Sequence, residues 1–93
     1  MTVEGDSMEP IVGDGDKVLF AENAEITTGD IAVVALDGSI FIRGVLFNKD
    51  ESITLRPRNQ DYPDMLIDPK EQEFYVVGKV LKAIQERKVG KIW

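Results

Sequence analysis

The dipeptide Asp37-Gly38, set between the apolar runs Ile31 to Leu36 and Ser39 to Phe47, constrains the fold more than any other feature of this chain. A two-residue Asp-Gly link suits the positive φ values of a type I′ turn, so the two runs are expected to pair as a β-hairpin. Further strands are expected at Lys17 to Ala21, Ser52 to Pro57 and Phe74 to Lys82, the last with room to run on towards Gln85. Each is rich in the β-branched, aliphatic and aromatic residues that a pleated, half-buried surface favours. Turn-forming clusters separate them at Gly13-Asp14-Gly15-Asp16, Thr28-Gly29-Asp30, Asn48-Lys49-Asp50 and Asn59-Gln60-Asp61-Tyr62-Pro63. Apolar runs recurring at roughly 8–12 residues predict a mainly β, compact fold of twisted antiparallel strands and hairpins with little helix. The short helical candidate is Ser7 to Val12, with Ser7 as N-cap.

A chain of 93 residues with 43% hydrophobic content can build one core and is too short for two, so residues 1–93 are read as a single domain. Its net charge of -6 would repel a phosphate backbone, which argues against nucleic-acid binding by this domain alone. The absence of cysteine excludes disulfides and thiolate metal sites, and the absence of histidine removes the usual zinc ligand and the usual general base. No metal or cofactor is expected. No apolar stretch approaches the roughly 18–20 residues of a membrane helix and no signal-like segment opens the chain, so a cytoplasmic location without membrane contact is expected. The acidic residues Asp6, Glu9, Asp14, Asp16 and Asp30 lack the ligand spacing of a calcium loop, and turn-forming or solvating roles account for them better. Trp93 is read as a surface or interface contact.

The segment Gly5-Asp6-Ser7-Met8-Glu9-Pro10 carries the chemistry. It places a serine at a turn into a helix start, where the N–H groups of Ser7 and Met8 would be left unpaired and able to bind a developing oxyanion. Gly5 would let the backbone pass close to a substrate. By itself the segment is equally an ordinary N-cap.

The order of motifs around it resembles the C-terminal domain of the LexA, UmuD and phage CI repressor family of Ser-Lys peptidases, and more distantly the type I signal peptidases. That family has a Gly-Asp/Asn-Ser-Met-x-Pro segment, then Gly-Asp with a short strand, then Gly-Asp-Ile/Val-Val-Val. Here these are Gly5 to Pro10, Gly15 to Phe20 and Gly29-Asp30-Ile31-Ala32-Val33-Val34. Beyond the hairpin the family's Val-Lys-Arg strand, Leu-x-Pro-x-Asn segment, Tyr-Pro-like pair and Gly-Lys/Val-Val strand are matched by Ile42-Arg43-Gly44, Leu55-Arg56-Pro57-Arg58-Asn59, Tyr62-Pro63 and Val77-Gly78-Lys79-Val80. The resemblance spans nearly the whole chain.

It implies that Ser7 is the nucleophile, that the Met8 N–H is an oxyanion donor, and that Arg43 stands where the family has its catalytic lysine. A buried lysine can shed its proton near neutrality, whereas arginine stays protonated and cannot accept the serine proton. Autoproteolysis is therefore expected to be absent or weak. Lys17 is the nearest lysine in sequence but lies at the start of a different strand. Arg43 shares its strand face with Phe41, Val45 and Phe47, which leaves two readings: a snorkelling or paired arginine, or a fork donating to Ser7 Oγ or to a bound carbonyl.

The family resemblance further implies a dimerisation and self-cleavage-type domain of a bacterial or prophage transcriptional repressor of the SOS or phage type. A homodimer is expected through Phe74 to Ile84, where Val77→Asp or Val80→Asp should give monomers. Operator DNA would be bound by an N-terminal domain absent from this chain, and a RecA filament or an antirepressor is the expected inducing partner. Only six residues precede Ser7, so the scissile linker is also expected to be missing. The alternatives are an active Ser-Lys peptidase of signal-peptidase or UmuD type, and a non-catalytic module that takes a peptide along an open sheet edge.

Overall fold

A computed structural model describes residues 1–3, 5 and 7–84. Six strands follow one another along the chain: β1 (Lys17–Ala21), β2 (Ile31–Leu36), β3 (Ser39–Phe47), β4 (Ile53–Arg56), β5 (Met65–Ile67) and β6 (Phe74–Ile84). They form one sheet in the order β1-β6-β2-β3-β4-β5, with every neighbouring pair antiparallel. The mainly β expectation holds.

The β2–β3 hairpin forms in the expected register, Leu36 opposite Ser39 and Ile31 opposite Gly44. Its turn residues have φ of 47° at Asp37 and 85° at Gly38, the positive pair that a type I′ turn requires. Asp37 also ties the turn to β6, since its Oδ1 accepts from the Glu73 N–H at 3.0 Å and its N–H donates to the Glu73 carbonyl at 2.8 Å.

Strand β6 joins the two ends of the chain by pairing with β2 through Phe74 to Lys79 and with β1 through Lys79 to Ile84. Each ladder slips once, skipping Val77 on the β2 side and Leu81 on the β1 side. Such bulges bend a strand and increase its twist, which lets one long strand serve two partners. Both faces of the sheet are covered at β2. Ala32, Val34 and Leu36 pack with Val45, Ile53, Leu55 and Ile67 on one side, while Val33 packs with Ile42, Val18, Val3, Met8 and Val12 on the other.

Three local expectations differ from the structure. Ser7 to Val12 is a run of turns and not a helix: the Ile11 and Val12 N–H groups both donate to the Met8 carbonyl at 3.0 Å. The next donor, the Gly13 N–H, goes to Asp16 Oδ2 at 2.7 Å, so the side chain takes the bond that would have continued a helix. The strand expected at Ser52 to Pro57 is shorter, Ile53 to Arg56. Strand β5 was not anticipated, because three residues are too few to show a period of two, and they become a strand only by pairing with β4. The continuation of β6 is observed as far as Ile84, and Gln85 and Trp93 lie outside the described residues.

Candidate functional site

Met8 fixes the position of Ser7. Its side chain is only 3% exposed, inserted among Val12, Val33 and Ile42, so the backbone on its N-terminal side is held against the sheet. The Ser7 carbonyl accepts from the Asn59 N–H at 2.8 Å, which joins the serine turn to the loop after β4. Upstream, the Gly5 N–H donates to Asp14 Oδ1 at 2.8 Å, and Val3 exchanges backbone bonds with Gly15 and Asp16. Asp14 and Asp16 thus serve as turn formers, as their spacing suggested. Asp30 does the same, accepting from the Thr27 N–H at 2.9 Å and the Thr27 hydroxyl at 3.2 Å. Ser7 is half-buried, and among the described residues neither its N–H nor that of Met8 donates to a backbone carbonyl.

Arg43 sits in β3 opposite Ala32. Its guanidinium carbon lies 5.3 Å from the centroid of the Phe41 ring, a cation–π distance, and its Nη1 donates to the Ile42 carbonyl at 2.8 Å. That bond folds the side chain back onto its own strand. It runs to the neighbouring carbonyl and not to Ser7 Oγ. Among the described residues Arg43 has no carboxylate partner. Burial lowers its pKa from the ordinary arginine value, with the nearby Tyr62 opposing, and an arginine so placed still keeps its proton at neutral pH.

Ser7 and Arg43 line one cleft of about 450 Å³, together with Met1, Thr2, Val3, Gly5, Met8, Ile40, Phe41, Ile42 and Tyr62. None of these residues is a lysine. Lys17 lies elsewhere, at the start of β1 opposite Ile84 and bridged to Thr2. Sequence reasoning did not single out Tyr62 or the segment Met1 to Val3 as cleft residues. Tyr62 had a signal in the Tyr62-Pro63 pair, whereas the N-terminal segment reaches the cleft only because it runs alongside β1. Chemically, the cleft offers the hydroxyls of Thr2, Ser7 and Tyr62, a cation and a largely aliphatic and aromatic lining, and among the described lining residues no side chain can act as base near neutral pH.

Comparison with known proteins shows the family. A family model described as Peptidase S24-like matches residues 1–81. The LexA repressor of Magnetococcus marinus is 35% identical over 82 residues, which cover 87% of this chain and 35% of the repressor. The LexA repressor of Citrifermentans bemidjiense is 32% identical over 82 residues, 87% of this chain and 40% of the repressor. LexA repressor 2 of Pseudomonas syringae pv. tomato is 34% identical over 79 residues, with 84% and 38% covered. The chain therefore spans between 35% and 40% of the length of these relatives. With an antiparallel sheet, a serine turn at the mouth of a cleft and a family match from residue 1 to residue 81, this chain belongs to the peptidase S24-like family.

Proposed function

We propose that this is the dimerisation and self-cleavage-type domain of a bacterial or prophage repressor, with Ser7 in the nucleophile position, the Met8 N–H as oxyanion donor and autoproteolysis disabled by Arg43. One observation carries the reading: Ser7 and Arg43, 36 positions apart in the chain, line the same cleft, and the charged residue that shares it with the serine is one that cannot accept its proton. The related proteins are repressors, which supports DNA binding by the parent protein. Its assignment to a separate N-terminal domain, and a RecA filament or an antirepressor as the inducing partner, are part of the proposal. The test uses the protein carrying this domain together with its linker, as wild type, Arg43→Lys and Arg43→Lys/Ser7→Ala, at neutral and alkaline pH. Linker cleavage is followed by mass spectrometry. Cleavage by the lysine variant alone, abolished by Ser7→Ala, is the expected result; no cleavage by any variant would remove the dyad reading.

A second reading is favoured by the sheet itself. Strand β4 pairs with β3 only from Gly44 to Phe47, so the stretch Ser39 to Arg43 has β2 on one side and no partner strand on the other among the described residues. That open edge borders the cleft, and it suits a role in which an extended peptide is held without being cut.

A further inference from the structure

The open edge of β3 has a direction and a closed end. The Val45 N–H donates to the Asp30 carbonyl and the Val45 carbonyl accepts from the Gly29 N–H, so the backbone groups of Val45 face the β2 side. By the alternation of an antiparallel ladder, those of Phe41 and Arg43 face the same way, and those of Ile40 and Ile42 face the open edge. Of these, the Ile42 carbonyl already accepts from Arg43 Nη1. Among the described residues, what remains for a ligand is the Ile40 N–H, the Ile40 carbonyl and the Ile42 N–H. A strand laid parallel to β3 with one residue opposite Phe41 needs two of them, donating to the Ile40 carbonyl and accepting from the Ile42 N–H. The next acceptor along that ladder is the carbonyl occupied by the guanidinium.

The edge also stops there physically. Gly44 is paired with Arg56, and the chain beyond Arg56 is tied across by the Asn59 to Ser7 bond, so a docked strand cannot continue past Arg43. At this closed end stand the Ser7 hydroxyl and a half-buried guanidinium that has no carboxylate partner among the described residues.

We propose that the cleft captures the free C-terminus of an extended apolar peptide, which pairs with Ile40 and Ile42 and places its terminal carboxylate on Arg43. This rests on the reading of the open edge as a peptide groove and adds the chemical class of its occupant. A peptide whose chain continues cannot make the terminal contact, so the site selects chain ends over internal segments. Arginine is suited to this because its planar fork matches a carboxylate in two parallel bonds.

The test titrates the isotope-labelled chain with acetyl-Val-Ala-Val-Ala as the free acid and as the C-terminal amide, following the amide resonances of Ile40 and Ile42 and measuring Kd calorimetrically. The acid is expected to bind at least about tenfold more tightly than the amide, and Arg43→Gln should bring it down to the amide's affinity. Arg43→Lys, which keeps a charge, should retain part of the preference, and dispersed amide spectra of both variants establish that they are folded. If acid and amide bind equally and both shift Ile40 and Ile42, the groove stands and carboxylate capture is overturned. If neither peptide shifts those resonances, the groove reading fails together with the proposal.

Discussion

Single residues in this protein act mainly by deciding where backbone bonds end. Asp16 takes the Gly13 N–H and closes the serine turn, and Asp30 holds the loop before β2 through Thr27. The Asp30 carboxyl lies below its ordinary value of 3.8, chiefly because the Thr27 N–H donates to it, with Lys79 Nζ at 3.6 Å and the Thr27 hydroxyl adding and burial opposing. Since the folded value is the depressed one, the stability it contributes is present above the unfolded value and is lost as pH falls through the folded value. Asp30→Asn should therefore be less stable than wild type near neutrality, and the difference should shrink below about pH 4. Urea midpoints of the two proteins across that range check this; a difference that stays constant with pH would mean that the charge of Asp30 is not what matters.

Among elements, β6 bears the closest packing. Gly78 lies where a Cβ would come within 2.6 Å of the Phe20 ring and 2.8 Å of the Ala21 carbonyl oxygen, approaches that real side chains do not make. The motif Val77-Gly78-Lys79-Val80 was readable as a strand, but not the demand for glycine, which comes from Phe20 and the Ala21 carbonyl lying against Gly78, the residue after the Val77 bulge. Gly78→Ala should destabilise the fold by about 1–3 kcal/mol through overpacking, read as a lower urea midpoint. An unchanged midpoint would show that Phe20 turns aside at no cost.

For the whole molecule, the exposed aliphatic surface within the expected Phe74 to Ile84 stretch lies towards its C-terminal end. Val77 and Val80 are half-buried against the Val33 and Ile42 side of the core, so an aspartate at either would act on folding before association. The exposed apolar side chains at that end of the sheet are Leu19 at 55%, Leu81 at 57% and Ile84 at 44%. Among the described residues only the β1 side of β6 is paired from Val80 to Ile84, which leaves a second backbone edge beside them. If the proposed homodimer uses this end, Leu81→Asp should give monomers by sedimentation while leaving the urea midpoint within about 0.5 kcal/mol equivalents of wild type. A variant that stays dimeric would place the contact elsewhere.

Local chemistry alone determined the hairpin and the approximate positions of β1, β4 and β6, because turn residues and period-two patterns act over a few neighbours. The order of motifs also carried the family, and the structure places Ser7 and Arg43 on the lining of one cleft. Only the tertiary structure decided that β5 is a strand, that Ser7 to Val12 is a turn and that β3 is left open from Ser39 to Arg43. Those outcomes depend on which distant segment arrives to supply a hydrogen bond: β4 for β5, the Asp16 side chain for the turn, and, along half of β3, none among the described residues.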